Sequence, residues 1–285
     1  MSDSIAIVTD STSDIEPSRG VELGITVVPL FVVFGDRSYK DYIELSRADF
    51  YEKLVSEKTL PTTSQPTAAM FEEAFREPAQ AGRPILCIVL SSKVSGTINA
   101  AQTAAKSFPD AKIVVYDSES AAGGLQLLVM RARELALLGR SVDQICETLD
   151  RERKTQRLYA CLADLSHVQR TGRIGRAQAA IGTLMKIVPV LRFKDGAVEA
   201  EAQVRTFARA QETMLDLGIA ATPDPANARY VVLHTHAPAA AEAARDRLRS
   251  KLGGVEPKSL EIVEAGPVIA THAGPGAVGL AVSQQ

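Results

Sequence analysis

Three apolar runs of the sequence end in short clusters of hydroxyl and carboxylate side chains, which are groups that can hold a polar ligand. The clusters are Asp10-Ser11, Ser91-Ser92 and Asp117-Ser118, and each follows a run typical of a buried strand. The carboxyl ends of parallel strands share one edge of a sheet, and ligands bind at that edge in open α/β folds. We therefore expect a binding site there, with Asp10 and Asp117 holding loops by hydrogen bonds rather than binding metal.

The chain is organised around the stretch 85–105. An apolar run at 85–90 is followed by a hydroxyl-rich segment that ends in Ser95-Gly96-Thr97, and then by residues of good helix-forming composition. Free backbone N–H groups at the start of a helix suit an anion, and Gly96 lets a ligand approach the backbone closely. A serine that only caps the helix produces the same pattern. Taken alone, this stretch favours the cap, because every helix needs one.

Histidines occur at two other places of chemical interest. His272 precedes Gly274-Pro275-Gly276, a stiff loop sequence that allows close backbone approach. His234 and His236 follow an apolar run with a spacing that metal sites use, but no third ligand of matching character is near them in the sequence. We therefore predict a surface strand end at His234 and no metal site in this chain.

The elements that must position these residues alternate between strand and helix in the first half of the chain. Apolar runs at 5–8, 85–90 and 112–116 predict strands, and this alternation is typical of a parallel sheet. The patterns predict helices at 47–56, from Thr67 onward, at 121–138 and at 142–154, with Ser46, Thr67 and the Ser141–Gln144 pair as their N-terminal caps. The proline- and hydroxyl-rich stretch 60–67 is expected to be a loop.

The second half of the chain begins near Arg157 and has a different pattern. A helix is expected at 177–184, and Lys194-Asp195-Gly196 lies between two β-rich runs, which is a strong hairpin signal. A hairpin inside an α/β pattern indicates a mixed sheet. We therefore predict an α/β protein with two domains: an N-terminal parallel α/β sheet domain at 1–156 and a C-terminal α/β domain with a mixed sheet at 157–285.

The overall composition excludes several classes of function. The chain has 285 residues, 46% of them hydrophobic, and a formal net charge of −2, so there is no electrostatic case for binding nucleic acid. No run is long and apolar enough to cross a bilayer, and the polar start lacks the basic segment of a signal peptide, so a cytoplasmic location is expected. Cys87, Cys146 and Cys161 lack CxxC spacing and are interpreted as buried thiols.

Five stretches, in their order and spacing over nearly the whole chain, resemble the DegV family. They are Val8-Thr9-Asp10-Ser11-Thr12, Thr63-Ser64-Gln65-Pro66, Leu90-Ser91-Ser92-Lys93-Val94-Ser95-Gly96-Thr97, Gly172-Arg173-Ile174 and His272-Ala273-Gly274-Pro275-Gly276. The resemblance implies a two-domain α/β carrier that buries one long-chain fatty acid between its domains. In the fatty acid kinase system, such proteins (FakB) present the bound carboxylate to a separate ATP-using subunit (FakA), which makes the acyl phosphate.

The resemblance also implies roles for particular positions. Thr63, Ser95 and the Gly96 N–H would bind the carboxylate, with His272 beside the same head group. The neighbouring positions of the same motifs are Ser64, Ser92, Thr97 and Gly274. Three arginines match basic positions of the family near the pocket mouth, namely Arg170, Arg173 and Arg205. Arg205 is the one expected to meet the kinase partner or the transferred phosphate, and the chain itself would need no cofactor and no catalytic residue.

The chemistry of a fatty acid agrees with these residue types. Burying each CH₂ is worth roughly 0.8 kcal/mol, so the tail can supply most of the affinity. The head group then needs orientation more than a strong ion pair, and hydroxyls and N–H groups provide that at about 1 kcal/mol each. The tunnel lining is not assigned by the sequence; residues 27–34, Phe71, Ile181, Leu184 and Ile187 are candidates, but ordinary core packing is the better explanation for each.

Three other functions compete with the carrier. A serine hydrolase could use Ser95 with His272, but the chain has no Gly-x-Ser-x-Gly elbow and no marked acidic partner for the histidine. An autonomous nucleotide-binding enzyme would need a phosphate-binding loop, but the chain lacks the G-x-x-x-x-G-K-[ST] pattern and has no G-x-G-x-x-G pattern that follows a predicted strand. A fatty-acid sensor or transport protein without a kinase is not distinguished from the carrier by sequence.

Overall fold

The computed structural model describes residues 5–57, 59–175, 177 and 187–284. The strands β1 to β13 are, in chain order, Ala6–Asp10, Ile25–Val28, Phe31–Phe34, Arg37–Lys40, Thr62–Ser64, Ile85–Val89, Ile113–Asp117, Arg157–Cys161, Val188–Lys194, Ala197–Val204, Ala228–His234, Ser259–Glu264 and Val278–Gln284. The helices α1 to α10 of the same residues are Pro17–Leu23, Arg47–Ser56, Ala68–Gln80, Thr97–Ala105, Ala122–Leu137, Val142–Thr155, Ser166–Arg170, Phe207–Ala220, Pro238–Lys251 and Pro267–Ala273.

The first half of the chain builds a four-stranded sheet in the order β2-β1-β6-β7, and all of its strand pairs are parallel. Every residue of β1 and β6 is buried, as expected for strands covered on both faces. The predicted parallel sheet is therefore confirmed, and its strands reach their shared edge at Asp10, Val89 and Asp117.

The second half builds a six-stranded mixed sheet in the order β10-β9-β8-β13-β11-β12. Its first two strands form the predicted hairpin, and Asp195 and Gly196 at the turn both have positive φ. The predicted boundary between residues 156 and 157 falls between α6 and β8, the first strand of this sheet. The division into two domains at that point stays a prediction.

Helix α5 lies between the two sheets. Its residues Leu125 and Leu128 pack into the core that contains Ile7 and Leu86 of the parallel sheet. On the other side, a methyl group added at Gly123 would lie 3.0–3.2 Å from Leu233, Ala281 and Val231 of the mixed sheet. The helix therefore approaches β11 and β13 closely because this position has no side chain.

A third, three-stranded sheet in the order β4-β3-β5 was not expected from the sequence. The β-rich stretch 25–34 divides at Pro29 into β2 of the parallel sheet and β3 of this small sheet. The stretch 60–67, predicted to be a loop, contains β5, in which Thr63 lies opposite Val32. The loop prediction was wrong here because pairing with a strand some thirty residues earlier overrides the local proline and hydroxyl signal.

The local helix signals were mostly correct. Ser46 accepts a hydrogen bond from the Asp49 N–H, and Ser141 forms a complete capping box with Gln144. Thr67 precedes α3 as expected, but its side chain makes no capping hydrogen bond. Of the predicted helix 177–184, all but Ala177 lies outside the described residues, as do the lining candidates Ile181 and Leu184.

Among the helices of the described residues, none combines the length and the apolar character that crossing a bilayer requires.

Candidate ligand-binding site

A cavity of about 370 Å³ lies between the two larger sheets, with the small sheet at one end. This volume falls in the range of roughly 300–1,000 Å³ that is typical of small-molecule sites. Its lining comes both from residues before α6 and from residues of the mixed sheet and α10. Most of it is aliphatic or aromatic: Leu30, Leu90, Val94, Ala121, Ala122, Leu158, Ala160, Leu162, Val168, Leu191, Phe193, Val198, Leu233, Val268, Ile269, Ala273, Ala277 and Val278.

One end of the cavity is polar, because β5 and α10 bring two distant residues together there. Thr63 Oγ1 and His272 Nε2 lie 2.9 Å apart and share a hydrogen bond. Ser64, Gln65, Ser95, Gly96 and Arg173 line the same cavity. The structure therefore brings together five of the residues that the resemblance assigned to the head group or its vicinity (Thr63, Ser64, Ser95, Gly96 and His272), together with Arg173.

Ser95 and Gly96 stand at the start of α4, where Gly96 is the residue before the first helical turn. The Ser95 hydroxyl lies 2.9 Å from the Thr97 hydroxyl and accepts a hydrogen bond from the Thr97 N–H at 3.3 Å. A side chain on Gly96 would overlap the Gln65 amide. Gly96 is thus required for the close contact between the Ser95 turn and the strand that carries Thr63.

His272 lies in the last turn of α10, not in the loop that the sequence suggested. Burial, with smaller contributions from nearby Arg173 and His167, lowers its pKa from 6.5 to about 3, so the ring is neutral near pH 7. Its Nδ1 atom is buried and has no hydrogen-bond partner among the described residues. A neutral ring beside a threonine hydroxyl is a hydrogen-bonding group rather than a counter-charge for an acid.

The start of α10 is fixed by buried acidic groups. The Asp14 carboxyl group accepts a hydrogen bond from the Gly266 N–H at 2.9 Å and faces the Tyr42 hydroxyl at 3.5 Å. Burial raises the pKa of Asp14 to about 8, although the Gly266 hydrogen bond opposes the shift. Burial also raises the pKa of Asp41 to about 7. Asp14 therefore holds the start of the helix that presents His272.

Asp10 and Asp117 hold loops, as predicted. Asp10 accepts hydrogen bonds from the Leu90 N–H at 2.8 Å and the Thr12 N–H at 2.9 Å, which ties the ends of β1 and β6 together. Burial raises its pKa to about 6. Asp117 accepts from the Glu119 N–H at 2.9 Å and the Ser92 N–H at 3.2 Å. The strand-end carboxylates therefore shape the turns beside the cavity.

The three predicted arginines lie in different settings. Arg173 lines the cavity and donates to the Thr171 carbonyl at 2.6 Å. Arg170 donates to the Pro61 carbonyl at 3.1 Å, which links α7 to the residues just before β5. Arg205 is exposed after β10 and is not among the described residues that line the cavity. A role for Arg205 toward a partner stays a prediction.

Several other predicted positions lie outside the cavity lining. Ser92 is exposed, Thr97 is buried beneath the Ser95 hydroxyl, and Gly274 ends α10. Phe71 belongs to the core around β6, and Ile187 is absent from the described lining. No residue of the three strand-end clusters lines the cavity, although Thr12, next to the first cluster, and Leu90, next to the second, do. The edge of the parallel sheet where its strands end, at which the sequence predicted the site, therefore contributes only part of it.

Sequence reasoning missed some lining residues. Gln65 lay within a quoted motif but was given no role, and His234 was predicted to be a surface strand end. The structure corrects the second point, because His234 is 6% exposed and lines the cavity. Its Nδ1 accepts a hydrogen bond from the Ala237 N–H at 3.3 Å, and burial lowers its pKa.

Of the three cysteines predicted to be buried, Cys87 and Cys161 are buried and Cys146 is only partly buried.

The fold and the cavity define an α/β protein with a largely apolar internal cavity that ends in a neutral polar cluster. A family model described as "Uncharacterised protein, DegV family" matches residues 4–285. A DegV domain-containing protein of Halalkalibacterium halodurans is 39% identical over 277 residues, which are 97% of each chain. Protein DegV of Bacillus subtilis is 32% identical over 277 residues, covering 97% of this chain and 98% of that one. The chain belongs to the DegV family.

Solved structures agree with this assignment. A DegV family protein from Thermus thermophilus, described as fatty acid binding, superposes with a TM-score of 0.91 at 34% identity over 99% of both chains. DegV from Bacillus subtilis, described as a fatty acid binding protein, gives a TM-score of 0.89 at 32% identity, again over 99% of both chains. A stearic acid-binding protein from Eubacterium ventriosum gives 0.89 at 27% identity over 98% of both chains. DegV proteins thus bind fatty acids in crystal structures.

Proposed function

We propose that this chain binds one long-chain fatty acid in the cavity of about 370 Å³ and holds the carboxylate at the polar end. The observation that carries the proposal is the hydrogen bond between Thr63 and His272, which lies at the polar end of a largely apolar cavity and joins two neutral groups. The acyl chain would lie along the aliphatic lining, where each buried CH₂ contributes about 0.8 kcal/mol. The cavity lies where the two predicted domains, 1–156 and 157–285, would meet.

The carboxylate would be oriented by hydroxyl and N–H groups. Thr63 and Ser95 provide the hydroxyls, and the Gly96 N–H stands at the start of α4, where the helix favours negative charge. His272, with a pKa near 3, stays neutral at physiological pH and acts as a hydrogen-bonding neighbour. Such a clamp supports recognition of an acid head group without a bidentate ion pair.

The same geometry favours a carrier over a serine hydrolase. The Ser95 hydroxyl is engaged with Thr97, and His272 Nε2 is engaged with Thr63 rather than with Ser95. A hydrolase would need the histidine within hydrogen-bonding reach of the serine that it activates. We therefore propose that the chain itself is not an enzyme.

We further propose that the bound carboxylate is presented to a separate ATP-using kinase subunit, which forms the acyl phosphate in the cytoplasm. A neutral clamp supports this role because it leaves a carboxylate oxygen available as the nucleophile. A sensor or transport protein would use the same pocket without a partner. Co-purification with the kinase subunit of the same host, together with acyl phosphate formation, distinguishes the two. Absence of both would leave fatty acid binding without the kinase role.

Native mass spectrometry of the freshly purified protein tests ligand binding directly. We expect a one-to-one adduct whose mass, after solvent extraction, is that of a long-chain fatty acid. A protein that carries no such mass and takes up no added fatty acid would refute the proposal. The extracted acid would also identify the preferred chain length and saturation.

Thr63→Val tests the head-group assignment with a matched control on the same strand. Valine has nearly the shape of threonine but lacks the hydroxyl, so the His272 hydrogen bond is lost at a cost of about 1 kcal/mol or more. We expect fatty acid affinity, measured by titration calorimetry after delipidation, to fall on the order of tenfold. Thr62→Val removes an exposed hydroxyl from the adjacent position and should leave affinity unchanged. Equal affinities for both variants and the wild type would contradict the assignment.

A further inference from the structure

A second cavity, of about 300 Å³, lies beyond the end of the apolar one. It is bounded by the segment after β7, by the last turn of α6 and by the β9–β10 hairpin. Leu158, Arg192 and Phe193 line both cavities and form the wall between them. Neither Thr63 nor His272 lines the second cavity, and neither do Ser95, Gly96 and Arg173.

The lining of this second cavity is mainly polar and carries an excess of positive charge. Five basic side chains and two acidic ones line it, in a chain whose overall net charge is −2. A concave site whose lining carries an excess of one charge concentrates ions of the opposite charge. The cavity therefore differs in chemistry from the apolar one, although the two share a wall.

Some of these basic groups are already engaged by the protein. Arg153 donates to the Asp117 carbonyl at 2.8 Å and lies 3.4 Å from both Glu119 and Asp150. Arg192 is paired with Glu201 at 2.9 Å. These two arginines fix the walls of the cavity and are poorly suited to bind a ligand.

Arg157 and Lys154 retain donors. The Arg157 guanidinium uses only Nη1, which donates to the Lys154 and Gln156 carbonyls, so its Nε and Nη2 have no partner among the described residues. The Lys154 ammonium has no ion-pair partner there either. Lys194, across the cavity, lies 3.8 Å from Glu199, which is a loose pair. Three cations, from α6, β8 and β9, thus line one cavity.

We propose that this second cavity binds a small molecule carrying a phosphoryl group. A phosphoryl group offers up to two negative charges and three acceptor oxygens, which match a guanidinium fork and two ammonium groups better than a single carboxylate does. The volume is at the lower end of the range for small-molecule sites, roughly 300–1,000 Å³, so a compact phosphate monoester fits. This proposal does not depend on the fatty acid function.

Titration calorimetry with inorganic phosphate and with glycerol 3-phosphate, on the full-length protein as purified, tests the site. We expect saturable one-to-one binding, weakened on the order of tenfold in Arg157→Gln and in Lys154→Gln because each loses a charge-assisted hydrogen bond. Arg249→Gln, which removes the same charge from an exposed position of α9, serves as the matched control and should bind like the wild type. An unchanged far-UV circular dichroism spectrum and an unchanged urea-unfolding midpoint show that the variants are folded.

The phosphoryl group that binds in the second cavity could also belong to a lipid head group. Flotation with phosphatidylcholine vesicles, with and without phosphatidic acid, separates the two sources. Binding of the soluble phosphates that is weakened in both variants supports a free metabolite, and binding only to vesicles with phosphatidic acid, lost in the same variants, supports a lipid phosphate. No binding to either probe, or binding that the two substitutions leave unchanged, would overturn the proposal.

Discussion

The buried carboxyl group of Asp14 makes an unusual pH dependence of stability testable through the substitution Asp14→Asn. Asp14 is 4% exposed and links the turn after β1 to Gly266, the residue before α10. Its φ of 57° lies in the left-handed region, which asparagine tolerates nearly as well as aspartate. The substitution therefore keeps the shape and the backbone while removing the ionisable group.

The size of the expected change in the free energy of unfolding with pH follows from the raised pKa of Asp14. In the unfolded chain the Asp14 carboxyl has a pKa near 3.8, and burial raises it to about 8 in the folded protein. Between these values the folded state binds one proton more than the unfolded state, so stability falls as pH rises. Near pH 7 the slope from one such group is close to 1.4 kcal/mol per pH unit. As Asp14 begins to ionise, the loss between pH 7 and pH 8 is about 1 kcal/mol.

Other shifted groups add little between pH 7 and pH 8. Asp41, with a pKa of about 7, contributes in the same direction but is half ionised at pH 7 and mostly ionised by pH 8, so it adds only a few tenths of a kcal/mol. His272 has a folded pKa of about 3, below its unfolded value of 6.5, so its contribution is fully present above pH 6.5 and is lost as pH falls. The interval from pH 7 to pH 8 therefore isolates Asp14.

Urea unfolding at pH 7 and pH 8 measures the effect. We expect the wild type to lose about 1 kcal/mol more over this unit than Asp14→Asn loses. Asp110→Asn, at an exposed position, is the control and should follow the wild type. A variant that loses as much stability as the wild type, or a wild type whose stability rises over the same unit, would refute the argument that Asp14 is protonated when folded.

Three further predictions concern the partner surface and the local geometry. Arg205→Ala should leave fatty acid affinity unchanged but lower the rate of acyl phosphate formation with the kinase subunit, and an equal loss of lipid binding would place Arg205 in the pocket instead. Gly274→Ala should lower the free energy of unfolding by about 1–3 kcal/mol, because φ is 71° and the added methyl would lie 2.7 Å from the His167 ring. Ser141→Ala should cost about 1 kcal/mol in urea unfolding through loss of the capping box, and an unchanged midpoint would contradict this.

The features that the sequence predicted well are those encoded locally. The hairpin at Lys194-Asp195-Gly196 needs two residues with positive φ, and a turn of this composition provides them. The capping box at Ser141 and Gln144 likewise depends on residues three positions apart. Buried strands such as β6 are visible as unbroken apolar runs because both of their faces are covered.

The features that the sequence patterns did not predict depend on residues that are far away in the chain. Thr63 lies in a strand because β3 pairs with it, and nothing within 60–67 encodes that partner. His234 is buried because the sheet is covered at its strand end, although its neighbour His236 is exposed. The position of His272 in a helix could have been predicted, since Pro267 and Gly274 are typical of a helix start and end.

The contact between Thr63 and His272 joins residues 209 positions apart, and only the family resemblance brought the two into one site. The residue types alone indicated a cluster of hydroxyls and a histidine, but not that the two lie in the same site. The physical link runs through three elements: β5 is held by β3, α10 is held by Asp14 at Gly266, and α7 is tied to Pro61 by Arg170. Each of these contacts is long-range, which is why sequence patterns do not contain them.

The charge state of the polar end bears on how a bound acid would react in the proposed function. A cationic clamp on both oxygens would lower the nucleophilicity of the carboxylate, whereas neutral donors orient it and leave it reactive. His272 is neutral, Thr63 and Ser95 are hydroxyls, and the nearest cavity-lining cation, Arg173, already donates to the Thr171 carbonyl. The cations needed to stabilise a transferred phosphate would then come from the partner or from exposed groups such as Arg205. In this arrangement the carrier supplies position and the partner supplies charge, so loss of a hydroxyl should weaken binding and loss of Arg205 should weaken transfer.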